Sequence, residues 1–147
     1  MRIVLQRVRE ASVSVQDDVV GKIGEGVCLF VGIEKGDKEE GARHLARKTV
    51  ELRIFPDDQG KMNRSLLDVH GEVLAISQFT LAGSVKKGRR PSFDRAEEPV
   101  QAEHLFRYFV DQIRESGLKV ETGIFAALMD VRIINDGPVT FILQDRE

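Results

Sequence analysis

The chain has 147 residues, 41% of them hydrophobic and 31% charged, and a formal net charge of -2 at pH 7. That length fits one domain able to bury about two-thirds of its unfolded surface, and the composition excludes a disordered chain. The near-balance of charge excludes any global pull towards nucleic acid or membrane, so a nucleic-acid contact has to come from a local patch.

The opening Met1-Arg2-Ile3-Val4-Leu5-Gln6-Arg7 has no signal-peptide layout and begins a β-like segment that runs to Val8. Ala11-Ser12-Val13-Ser14-Val15 alternates small or polar residues with valine, the period of a half-buried strand. Gln16-Asp17-Asp18 reads as a turn, and residues 19–24 as the return strand of a hairpin. Residues 27–33 form an apolar strand that contains Cys28, the one cysteine. An isolated cysteine there reads as a small core residue; it excludes a disulfide framework and fits a reducing interior. Asp37 is expected to cap a helix through Val50, with Ala42, Leu45, Ala46 and Val50 on one face.

Residues 52–55 read as a short strand stopped by Pro56-Asp57-Asp58-Gln59-Gly60, residues 65–71 as a connection, and residues 72–79 as a strand. Gly83, Gly88 and Pro91 make residues 82–95 irregular. Pro99 starts a second helix to about Glu115, with Leu105, Phe106, Phe109 and Ile113 inward and Gly117 as its stop. Strands follow at 118–121, 131–134 and 140–143, the last two separated by a Gly-Pro corner. No apolar run approaches the roughly 18 residues of a membrane span, so a cytoplasmic protein is expected. Early hairpins argue for antiparallel pairing, and the later strand–helix–strand units for a mixed sheet with helices on one face.

Two polar segments interrupt apolar strands. Ser77-Gln78-Phe79-Thr80-Leu81 runs out of Val73-Leu74-Ala75-Ile76, and Asn135-Asp136-Gly137-Pro138-Val139-Thr140 lies between two apolar runs. Strand ends of this kind are where small-molecule pockets form. Strand alternation puts Ser77 and Thr80 on opposite faces, so both reach one pocket only if the strand ends or bends near Phe79. The bland reading is that their hydroxyls bond local backbone. A nucleophilic serine needs a base. His44, His70 and His104 fall on two helices and a connection, outside any Gly-x-Ser-x-Gly elbow, which argues against a Ser-His-Asp triad. No histidine pair, cysteine pair or aspartate ladder suggests a metal, and none is expected.

A cis bond at Gly137-Pro138 would turn consecutive carbonyls outward, and glycine lets another molecule come close to the backbone. A rigid wall of main-chain oxygen can accept an ammonium group and reject a substituent aimed at it. The alternative there is a trans tight turn. Lys86, Lys87, Arg89 and Arg90 place four cations in five positions, either a solvated loop or a phosphate contact. Phe125 and Met129 lie between predicted strands, as core residues or as the border of a ligand site.

On these segments the chain resembles the D-aminoacyl-tRNA deacylases of the bacterial and eukaryotic type, also called D-tyrosyl-tRNA(Tyr) deacylases. The segments at 77–81 and 135–140 match the two family signatures. The opening at 1–8, Lys86-Lys87-Gly88-Arg89-Arg90-Pro91-Ser92-Phe93 and Thr122-Gly123-Ile124-Phe125 are similar too, so the likeness covers essentially the whole chain. Ala82-Gly83-Ser84-Val85 departs from it, since an acidic residue often precedes the lysine pair.

The resemblance implies one α/β domain over residues 1–147. It is expected to be a three-layer β/β/α sandwich with mixed, largely antiparallel sheets and two main helices on one face. It implies a cofactor-independent hydrolase that cleaves the ester of D-aminoacyl-tRNA and of glycine mischarged on tRNA, a proofreading step in translation. The catalytic group would be Ser77, Gln78, Phe79 and Thr80, with the Phe79 N–H as oxyanion donor. Substrate would also meet Phe125 and Met129, and tRNA would meet the four cations. A homodimer is implied, in which Gly137 and Pro138, joined by a cis bond, enter the partner's pocket and exclude L side chains. The rival readings are a non-catalytic module that binds tRNA ends or D-amino-acid derivatives, and a hydrolase of free D-amino-acid derivatives.

Overall fold

The computed structural model describes residues 1–145; the last two residues of the single domain expected over 1–147 lie outside the described residues. The chain runs β1 (Arg2–Val15), β2 (Asp18–Ile23), β3 (Gly26–Gly32), α1 (Glu39–Glu51), β4 (Phe55–Pro56), β5 (Met62–Arg64) and α2 (Leu66–Val69). It continues through β6 (Glu72–Ser77), a 3₁₀ turn (Phe79–Ala82), α3 (Pro99–Arg114), β7 (Val120–Thr122) and β8 (Asp130–Gln144). The class is mixed α/β. Six strands form one sheet in the order β2-β1-β3-β6-β7, with β8 on the other edge of β1. Pairings of β1 with β2, β3 and β8 are antiparallel, and those of β6 with β3 and β7 are parallel. The sheet curls so far that β2 comes back against β6 and β7, and is nearly closed. β4 and β5 make a separate two-stranded hairpin, where the sequence suggests only a strand at 52–55.

Alternation in the central strands fills two cores. Val27, Leu29 and Val31 of β3, with Val73 and Ala75 of β6, face the helices and pack on Leu45, Leu105, Phe109 and Ile113. Cys28, Leu74 and Ile76 point the other way, into a smaller core with Val8, Val13 and Ile23. Strands apolar on both faces read as continuous hydrophobic runs, as β3 does. Burying Phe109 fully contributes roughly 2–3 kcal/mol. Burial also pushes the Cys28 thiol up to about 12, which keeps it protonated and inert.

Register explains β1 and β8. Gln6 pairs with Thr140 and Val8 with Asn135, so β8 advances five residues while β1 advances two. Asp136, Gly137, Pro138 and Val139 of β8 thus lie opposite Arg7 alone. The Gly-Pro corner is therefore a bulge inside one long strand rather than a break between two. Between Val8 and Glu10 the slip reverses, with one extra residue on β1. That single residue changes which alternate side chains of β1 point inward. Ile3 and Leu5 enter the helix-side core, while Val8, Ala11 and Val13 enter the other.

α1 and α3 are the two main helices and pack on each other. Asp37 does not cap α1: Lys38 occupies that place without a side-chain bond. The Asp37 carboxylate accepts the Glu34 N–H at 2.7 Å and meets the Met1 ammonium at 2.5 Å. Residues 65–71, expected as a connection, contain the short α2, closed by a capping box between Ser65 and Asp68. β6 ends at Ser77, two residues before the expected Phe79, and the 3₁₀ turn takes over. Among the described residues no helix is long and apolar enough to cross a membrane.

Candidate active site

The end of β6 opens into a cavity of about 480 Å³. It is lined by Ser77, Gln78 and Phe79, by Phe30 of β3 and Ile76 of β6, and by Phe125, Ala126, Ala127 and Met129. The segment before α3 closes it with Ala96 and Glu97. The strand's stop at Ser77 is what turns this sequence outward. Gln78 N–H still bonds Val31 O at 2.8 Å, after which the chain winds into the 3₁₀ turn. Gly32 makes the turn possible, because a Cβ there would lie 2.7 Å from Leu81 Cβ and 3.0 Å from Gln78 O.

Thr80 does not line the cavity; it is exposed, and its Oγ1 accepts a hydrogen bond from Gln78 Nε2 at 2.5 Å. The hydroxyl thus engages a side chain of the wall rather than local backbone. The first N–H groups of a helical turn have no intrahelical acceptor, and here those belong to Phe79 and Thr80 at the cavity's edge. None of the three histidines is near. His104 meets Glu39 at 2.8 Å between α3 and α1, His44 is on α1, and His70 caps α2 in a left-handed conformation. Glu97 is the carboxylate on the wall, and its Oε1 accepts the Glu98 N–H at 2.8 Å. Among the described residues no group of three or more His, Cys, Asp or Glu is placed to hold a metal ion.

Phe125 and Met129 both join the cavity, and Phe125 also packs on Phe106 at 6.3 Å between ring centroids. Ala126 between them has φ +63, a conformation uncommon outside glycine. A second cavity of about 500 Å³ shares Phe125 but contains no residue of the 77–80 segment.

The corner lies elsewhere. The Gly137-Pro138 bond is cis. Arg7 clamps the corner, donating from Nε to Asp136 O at 3.1 Å and from Nη1 to Ile54 O at 2.6 Å. Asn135 pairs with Val8, Val8 with Gly26, and Gly26 with Glu72, at the opposite end of β6 from Ser77. The six residues of β6 alone span about 16 Å, so the corner does not reach the cavity of its own chain.

Lys86, Lys87, Arg89 and Arg90 are exposed and make no ion pair among the described residues. Their loop is closed at its base by two backbone hydrogen bonds between Ser84 and Ser92, of 2.7 and 2.9 Å. Phe30, Ala96, Glu97, Pro99 and Ala102 are cavity residues that the sequence reading missed. Alternation along β3 could have flagged Phe30, and Pro99 at a helix start marks the preceding residues as a turn near the strand ends.

Comparison with known proteins agrees with these signatures. The family model for D-Tyr-tRNA(Tyr) deacylase matches residues 4–144. The D-aminoacyl-tRNA deacylase of Aquifex aeolicus is 57% identical over 147 residues, covering 100% of this chain and 99% of that protein. The one from Bacillus thuringiensis is 55% identical over 146 residues, with 99% and 100% covered. Among solved structures, the c-Myc DNA Unwinding Element Binding Protein superposes with a TM-score of 0.92 at 40% identity, covering 98% of each chain. A probable eukaryotic D-amino acid tRNA deacylase shares the fold, with a TM-score of 0.84 at 20% identity and 97% of each chain covered. On a family match that takes in both signature segments and nearly the whole sequence, the chain belongs to the D-Tyr-tRNA(Tyr) deacylase family.

Proposed function

We propose that this protein hydrolyses the ester between a D-amino acid, or mischarged glycine, and the 3′ adenosine of tRNA, as a proofreading enzyme of the cytoplasm. The observation that carries this is the 77–80 segment turning out of β6 at the rim of a cavity, in a chain of this family. An aminoacyl ester beside a ribose 2′-hydroxyl is already activated. The protein's tasks are then to orient it, seat a water, and offer donors to the developing oxyanion. The Phe79 N–H is the donor we assign, with Ser77 and Gln78 holding the ester end and Phe125 and Met129 flanking the substrate. Thr80 positions water through its bond with Gln78 rather than attacking, because no histidine or lysine stands on the wall to activate it.

Chirality is read by a second copy of the chain. β8 pairs on one side only and exposes Ile134, Phe141 and Ile142, an apolar edge suited to a homodimer. Across it, Gly137 and Pro138 of one protomer enter the other's cavity, where main-chain oxygen holds the substrate ammonium and excludes an L side chain. Glycine, having no side chain, passes. Lys86, Lys87, Arg89 and Arg90 hold tRNA phosphates. A β/β/α layering, with the curled part of the sheet as its outer layer, is our reading of the two cores. The test is turnover of matched D- and L-aminoacyl-tRNA by the purified protein. Release of free amino acid from the D form alone supports the assignment. Retention of the ester without release, or equal rates on both forms, rejects it.

A further inference from the structure

An aromatic pair occupies the ground between the cavity and the basic loop. Phe79, on the cavity wall, is 58% exposed, and Phe93 is 39% exposed. Their centroids are 5.2 Å apart with the planes at 61°, an edge-to-face pair. Phe93 directly follows the Ser84–Ser92 closure of the loop that carries the four cations. It is firmly seated: a Cβ on Gly83 would lie 2.9 Å from its ring, and the next residue is tied to Ser92 Oγ through the Asp94 carboxylate at 2.6 Å. The order along the surface is therefore cavity, Phe79, Phe93, cations. Core packing does not require such exposure; neither ring is in either hydrophobic core.

Proteins that hold single-stranded nucleic acid combine cations that track phosphates with aromatic rings on which bases stack. We infer that Phe93, in its edge-to-face pair with Phe79, is the stacking platform for the unpaired nucleotide preceding the terminal adenosine of the RNA. The site takes a nucleobase by its face and makes no demand on its hydrogen-bonding edge. The inference rests on the aminoacyl-tRNA reading above and extends it to a nucleotide outside the cavity.

The experiment compares two substrates, a D-aminoacyl-tRNA and the same D-amino acid esterified to adenosine alone, on the wild type, Phe93→Leu and Phe93→Trp. Leucine keeps apolar packing and removes the π-face, whereas tryptophan keeps the face. The expected result is a fall of about tenfold or more in the ratio of kcat/KM on tRNA to kcat/KM on the adenosine ester for Phe93→Leu, carried by KM. Phe93→Trp should hold the ratio within about twofold. An unchanged ratio in Phe93→Leu overturns the platform, because a merely structural role lowers both substrates alike. A wild type that cleaves neither substrate removes the aminoacyl-ester reading itself, and the platform with it.

Discussion

Gly32→Ala tests whether the 77–80 turn is held by its packing, at a residue that does not touch the cavity. The added Cβ would sit 2.7 Å from Leu81 Cβ and 3.0 Å from Gln78 O, both in the turn. Ordinary contact begins near 3.4 Å, so one neighbour must give by about 0.7 Å. Gly32, the last residue of β3, is held by its pairing with Arg2 of β1, and Val31 before it by its pairing with Ser77 of β6, so the strand end has little room to shift. The turn has β3 beneath and solvent above, so the turn moves. A displacement approaching 1 Å at a reacting group costs up to about 100-fold in rate, while overpacking of this size costs roughly 1–3 kcal/mol of stability. Steady-state kinetics on D-aminoacyl-tRNA should show kcat/KM down by 10- to 100-fold, in a protein still folded by circular dichroism and urea titration. A variant with wild-type kcat/KM would refute the idea that Gly32 sets the position of Gln78 and Phe79.

Four further outcomes are expected. Replacing Lys86, Lys87, Arg89 and Arg90 with alanine should weaken tRNA binding and flatten log Kd against log salt by up to about 3, measured by fluorescence anisotropy; an unaltered slope would remove the loop from the interface. Thr80→Ala should lose about tenfold in kcat, the worth of one hydrogen bond of ~1–1.5 kcal/mol, and total loss in a folded protein or a trapped acyl-Thr80 would make the hydroxyl the nucleophile instead. Ile142→Glu, at a side chain 64% exposed on β8, should shift sedimentation from dimer to monomer and cut activity; a dimer that persists would move the interface elsewhere. Acid unfolding supplies the last case. The Asp68 carboxyl is held below its ordinary value by the Ser65 N–H and hydroxyl, and Asp57 by the Lys61 and Gln59 N–H groups. A lowered value means stability present above the unfolded carboxyl range near pH 4 and lost as pH falls through the folded value. Asp68→Asn should therefore narrow the stability gap between pH 6 and pH 3 in thermal melts, and an unchanged gap would contradict the capping role.

Much of the fold is legible because its signals are local. The apolar face of α1, the Pro99 start of α3 and the two-sided hydrophobicity of β3 each follow from a few neighbouring residues. α2 had a local signal too, Ser65 and Asp68 at capping-box spacing. What escaped was non-local. The continuity of β8 depends on β1 pairing with it on both sides of the bulge, a partnership no window of sequence displays. Asp37 left its expected role because the Met1 ammonium lies within reach only once β1 is in place. In the site, hydroxyls and an amide at a strand end were visible as an anomaly, and Ser77, Gln78, Phe79, Phe125 and Met129 do meet at one cavity. Thr80 stands just outside, because a 3₁₀ turn rotates successive side chains by about a third of a circle. Ala96 and Glu97 arrive from a segment whose path is set by the Glu34–Ala96 bridge.

The one-residue slip between Val8 and Glu10 is a place where this sequence has room to drift. Removing Arg9 would erase the bulge and leave Val8, Glu10 and Ala11 in plain alternation opposite Asn135, Ile134 and Ile133, with Ala11 and Val13 still in the core they share with Val8. Arg9 itself is exposed and open to exchange. At this place, descendants are free to change both the letter and the count.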